Sequence, residues 1–126
     1  MEKIIFITGT STGFGKLTTI TLSKAGYTVI AGMRDIAGKN ADAAKELSAL
    51  SKVDVVEIDV TNDDSVKNAF AGVLAKYGRV DVLINNAAVT GFGLFEAYSI
   101  DQIKQMFEVN FYGVIRTHIL PFKGCR

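Results

Sequence analysis

The chain has 126 residues, enough for one domain with one core in which roughly two-thirds of the unfolded surface is buried. Hydrophobic residues make up 48% and the formal net charge is +1, which excludes a disordered segment and supplies no field for nucleic acid or a charged membrane surface. No apolar run reaches the length of a membrane span and the chain enters an apolar run at once, so a cytoplasmic protein is expected. The single cysteine, Cys125, has no internal partner and reads as a free thiol on a short tail, 122–126.

Strand and helix signals alternate, without repeats or a Pro/Ser-rich linker, as in a parallel sheet with crossover helices. Ile4 to Ile7 reads as strand one. A helix from about Phe14 to Lys24 follows, ending at Gly26, and Tyr27 to Met33 is strand two. Helix two spans about Asn40 to Leu50, and Val53 to Ile58 is strand three. Helix three is amphipathic, with Val66, Ala69, Phe70, Val73, Leu74 and Tyr77 on one face, Asp63 and Asp64 in the first turn and Gly78 at its close. Val80 to Ile84 is strand four. A loop with Asn85, Asn86, Gly91 and Gly93 leads to a last helix that Ser99 caps, that carries Ile103, Met106, Phe107, Val114 and Ile115, and that Pro121 stops. Right-handed crossovers give a doubly wound α/β sheet ordered 3-2-1-4, with a ligand site at the carboxyl ends of the strands.

The chemistry-bearing stretch is Thr8-Gly9-Thr10-Ser11-Thr12-Gly13-Phe14-Gly15, between strand one and helix one. Glycines there let the backbone bend and approach a pyrophosphate, and the helix N-terminus adds free N–H groups and a positive dipole. That context points to a dinucleotide. A Walker loop fits less well: Leu17 stands where Ser or Thr is needed, and Thr10 where the first glycine belongs.

Taken together, the motifs resemble the short-chain dehydrogenases/reductases over residues 2 to 121. Thr8-Gly9-x-x-x-Gly13-x-Gly15 is similar to the family's cofactor turn, and Asn85-Asn86-Ala87-Ala88 to its Asn-Asn-Ala-Gly motif, with Ala88 in place of glycine. Asp59-Val60 is similar to its adenine-contacting pair, and Asn110, followed by Gly113, falls where the family has a catalytic asparagine in kinked fourth and fifth helices. The resemblance implies cofactor contacts at Gly9, Ser11, Thr12, Gly13, Phe14, Gly15, Arg34, Asp59, Val60, Asn86, Ala87 and Ala88, and a catalytic role for Asn110. No metal is implied. Asp59 has a plainer reading as a turn former after a strand, and Asn85 as a loop-bonding group; the adenine contact is favoured for Asp59.

Cofactor choice turns on the end of strand two. By resemblance Met33 fills the position where NAD-using members have a carboxylate, and Arg34 stands where NADP-using members carry Arg, which holds a phosphate bidentately. Asp35 lies where the general fingerprint expects an acid. NADP is the expected cofactor, with NAD second, and Thr12 is placed to add a hydroxyl to a phosphate.

The family's proton donor is the Tyr of a Tyr-x-x-x-Lys pair, beside a Ser. Tyr27, Tyr77 and Tyr98 are followed four residues later by Ala31, Asp81 and Gln102, and Tyr112 by Arg116. Tyr112 is expected to pack, and His118 to be a surface cation near a helix end. The expectation is an N-terminal, NADP-binding half of a hydride-transferring enzyme, itself catalytically incompetent and prone to self-association, where full-length relatives are homo-oligomers. A non-enzymatic NADP-binding module and a non-functional gene fragment are the alternatives.

Overall fold

The computed structural model describes residues 2–91 and 93–122; the proposed thiol at Cys125 and nearly all of the expected tail lie outside them. Four strands, β1 (Ile4–Ile7), β2 (Thr28–Met33), β3 (Val53–Glu57) and β4 (Val82–Ile84), form one parallel sheet ordered β3-β2-β1-β4. Between them run helices α1 (Gly13–Lys24), α2 (Ala41–Ser48) and α3 (Asp63–Tyr77), and after β4 come α4 (Ile100–Phe107) and α5 (Gly113–Ile119).

The alternation of side chains along β1 builds three layers. Ile4 and Phe6 face α3, where Val66, Ala69, Phe70 and Val73 complete a core. Ile5 and Ile7 face the other way, toward Leu22 of α1. Phe6 and Phe70 stack with ring centroids 4.6 Å apart, a contact worth about 1 kcal/mol beyond the area it buries. β1 and β2 are buried throughout, as central parallel strands require.

α3 has the start and stop the sequence implies. The Asn62 side chain accepts the Ser65 amide, Asp63 and Asp64 sit in the first turn, and Gly78 ends it with φ +77. Ser99 caps α4 through a full capping box with Gln102.

Several expectations need correction, and Ile58 and Asp81 also fall just outside β3 and β4. Tyr27 lies outside β2; its amide goes to the Leu22 carbonyl and its side chain is exposed. Val80 lies outside β4, because Asp81 meets Ile4 first: the Asp81 amide donates to the Ile4 carbonyl (2.9 Å) and its carboxylate accepts the Ile4 amide (2.7 Å). The last helix, read from its apolar pattern as continuous from Ser99 to Pro121, is broken at Asn110, where the resemblance implies kinked fourth and fifth helices. A π-helical turn, Glu108–Tyr112, joins α4 to α5, and Pro121 falls in a terminal 3-10 turn, Leu120–Phe122. Phe107, expected on the inner face, is more than half exposed.

The Ile4 amide, with help from Arg79, holds the Asp81 carboxyl below its ordinary value. A depressed folded-state pKa contributes stability above the unfolded value and loses it as pH falls through the folded one. Thermal melts should therefore show acid destabilisation setting in below about pH 3.8, the ordinary value for the group, and Asp81→Asn should flatten that part of the curve. An unchanged acid limb in Asp81→Asn would remove Asp81 from the account.

Candidate functional site

The carboxyl ends of the strands open into a cleft of about 930 Å³. Its floor is the turn after β1. Gly9 adopts φ +71, and a Cβ there would lie 2.7 Å from the Ala87 Cα, so only glycine lets this turn pass against the loop after β4. Side chains then bolt the two loops together. The buried Thr8 hydroxyl accepts both the Asn86 and Ala87 amides (3.1 and 3.0 Å), and the Asn86 amide group donates to the Gly9 carbonyl (3.0 Å). Thr10, also buried, donates from its amide and hydroxyl to the Gly32 carbonyl of β2.

The first turn of α1 differs from those of α3 and α4. No side chain caps it, and it contains no acidic residue, whereas the other two have both. Its orphan N–H groups and dipole are left for an anion. Ser11 and Thr12 line the cleft beside it, and the Thr12 hydroxyl makes no capping bond.

At the end of β2, Met33 is core, 2% exposed, and offers nothing to a ligand. Arg34 is exposed on the cleft, and its guanidinium is in none of the ion pairs among the described residues. Asp35, the competing acid, also lines the cleft; with φ +47 it closes its own loop, and one carboxylate oxygen accepts the Lys39 amide at 2.9 Å. Asp59 serves as a turn former with one oxygen, which accepts the Thr61 amide (2.9 Å) and hydroxyl (2.7 Å). Its amide goes to the Ser65 hydroxyl, and Val60 beside it is buried.

Nine of the expected cofactor residues line the cleft: Gly9, Ser11, Thr12, Arg34, Asp59, Val60, Asn86, Ala87 and Ala88. Gly13, Phe14 and Gly15 do not. Gly13 and Gly15 shape the turn, and Phe14 projects outward, 84% exposed. The Asn110 side chain is fully engaged with the backbone of Val89, accepting its amide at 2.8 Å and donating to its carbonyl at 2.7 Å. Asn85 accepts the Thr117 hydroxyl and ties α5 to the end of β4. Tyr112, expected to pack, is half exposed, and its ring meets Phe111 edge-on at the end of the π turn. His118 is exposed near the end of α5 and bonds the Val114 carbonyl. Lys39, Asn40, Glu57 and Ser65 also line the cleft, and sequence reading missed them.

Among the described residues no cluster of His, Cys, Asp and Glu could hold a metal, and no helix is long and apolar enough to cross a membrane.

A parallel doubly wound sheet with a glycine turn and an uncapped helix N-terminus at its carboxyl edge defines a Rossmann-like α/β domain. The chain belongs to the short chain dehydrogenase family, whose model matches residues 3–121. It is 40% identical over 124 residues to 3-oxoacyl-(acyl-carrier-protein) reductase of Thermotoga maritima, covering 95% of this chain and 50% of that protein. Among solved structures it is similar to 3-ketoacyl-(acyl-carrier-protein) reductase from Brucella melitensis complexed with NADH, at 29% identity and TM-score 0.82 over 92% of this chain and 47% of that one. Actinorhodin polyketide ketoreductase with NADPH matches at 28% identity and TM-score 0.85, over 97% and 47% respectively. The chain spans about half the length of the curated relatives it matches.

Proposed function

We propose that residues 1–121 are the NADP(H)-binding portion of a cytoplasmic oxidoreductase that moves hydride between a nicotinamide cofactor and an alcohol or carbonyl substrate. The observation that carries this reading is the uncapped, acid-free start of α1 facing the cleft, with the free Arg34 guanidinium at the end of β2. The cofactor, when bound, supplies the hydride. The chain's residues bind and orient it: the turn from Gly9 to Gly15 cradles the pyrophosphate, Asp59 and Val60 face adenine, and Asn86, Ala87 and Ala88 wall the far side. Arg34 takes the extra phosphate of NADP, and Asp35, with one oxygen spent on its own loop, competes less for ribose hydroxyls.

NADP(H) should bind more tightly than NAD(H). One charge-assisted bond to phosphate is worth about 1.5 to 3 kcal/mol, or about 10- to 150-fold in affinity. Calorimetry with both cofactors should show that preference, and Arg34→Ala should abolish it. Equal affinities with an unaffected variant would refute the assignment.

Catalytic incompetence of the 126 residues alone is part of the same proposal, as is self-association in place of the homo-oligomers proposed for full-length relatives. β4 has one ladder neighbour among the described residues and only three paired residues, all half-buried. A parallel strand of that kind ordinarily has partners on both sides. Hydrogen exchange should find β1 strongly protected and β4 weakly, with light scattering reporting concentration-dependent association. Equal protection in a strict monomer would count against self-association through β4.

A further inference from the structure

Arg116 lies on α5, far in sequence from the nucleotide motifs, yet it bonds the backbone of Val60, which lines the cleft. Its side chain is only 20% exposed. Nε donates to an Asp63 carboxylate oxygen at 2.8 Å, and Nη2 donates to the Glu108 carboxylate. Nη1 donates to the Val60 backbone carbonyl at 3.1 Å and reaches the Glu108 carbonyl at 3.4 Å. The planar fork thus joins the loop after β3, the first turn of α3 and the first residue of the π turn, which a lysine's single ammonium could not do. Gly113 closes the same contact from one turn earlier, with its missing Cβ leaving room for the Val60 side chain.

We propose that Arg116 is a positioning residue for the adenine end of the cleft: by holding the Val60 carbonyl, it fixes the backbone whose cleft side, with Asp59, reads the 6-position of the base. The inference rests on the dinucleotide reading above. Asp59 spends one carboxylate oxygen on Thr61, so the other is the one that remains to meet the base. A carboxylate there attracts the 6-amino group of adenine and repels the 6-oxo group of hypoxanthine. That discrimination needs a loop held still. Without the bond from Arg116, the segment between β3 and α3 loses its only side-chain hydrogen bond to α5 among the described residues, while the phosphate turn after β1 keeps all of its own bonds.

The test compares ADP with inosine diphosphate, which share ribose and pyrophosphate and differ at the base. The unsubstituted chain should prefer ADP by about tenfold, the discrimination expected of one well-placed hydrogen-bonding group. In Arg116→Lys the preference should fall to about twofold or less, through weaker ADP binding with inosine diphosphate nearly unchanged. A generally structural role would weaken both alike, and that result, or a preserved preference, would overturn the proposal. A measurement on the unsubstituted chain does not depend on the variant folding. By linkage, ADP must tighten the network that tightens it, so the Arg116 Nε–H should exchange more slowly with ADP bound than with inosine diphosphate. Equal exchange would overturn the proposal. Binding of neither nucleotide would overturn the dinucleotide reading itself, and this inference with it; binding of both with equal affinity would overturn only the base-reading role.

Discussion

Purified chain given NADPH and a broad panel of aldehydes and ketones is expected to leave the cofactor unoxidised above the rate without protein. Reduction of a carbonyl builds negative charge on oxygen, and a positioned proton donor contributes about 10² to 10⁴-fold to such a step. None of the four tyrosines has a lysine four residues later. Tyr112 comes nearest, with Arg116 in that place, but the Arg116 guanidinium is taken up by Asp63, Glu108 and the Val60 carbonyl. It is therefore not available to take the place of the family's lysine beside Tyr112. The Asn110 amide is likewise committed, both ends of it, to the Val89 backbone. Robust NADPH oxidation that disappears in Tyr112→Phe would show that this reading of the active site is wrong.

What the sequence made legible is what local pattern encodes. The apolar runs at Ile4–Ile7 and Val82–Ile84, the helix stop at Gly78 and the cap at Ser99 all follow from period, turn chemistry and capping, and the order 3-2-1-4 from the handedness of crossovers. The cleft was partly legible, because glycine spacing and the motifs carried by resemblance mark its floor and two of its walls. The remainder depends on contacts between distant residues. Glu57 takes the Ile36 amide at 3.2 Å and Lys39 enters through the left-handed turn at Asp35, so neither has a signal in its own neighbourhood. The π turn has no period of its own; Asn110 within it is bonded to Val89, 21 residues away, and Arg116 after it to Val60, 56 residues away. Strand four is shorter than its apolar pattern for a related reason: Asp81 spends its carboxylate on the Ile4 amide, ahead of the first paired residue, Val82.

Gly15→Ala is expected to cost more stability than Gly13→Ala and much more nucleotide affinity, although both glycines belong to the same motif. At Gly13 the backbone has φ +60 and a Cβ would meet nothing within 4 Å. The cost there is conformational, about 1 to 2 kcal/mol for an L-residue in the left-handed region. At Gly15, a Cβ would overlap the Gly9 carbonyl oxygen and lie 2.5 Å from the Asn86 side-chain nitrogen. The obstacle is backbone, and it is the carbonyl that Asn86 holds in place, so relief requires moving the turn against the loop after β4. Overpacking of this kind typically costs about 1 to 3 kcal/mol, and more where the neighbour cannot give. The binding loss should be larger still, since a displacement of about 1 Å in a positioning element can cost about 100-fold in function. Thermal melts and NADP(H) titration of the two variants, side by side, measure both effects. Equal stability with equal affinity in the two would mean that the packing of the turn on Asn86 does not set the geometry of the phosphate cradle.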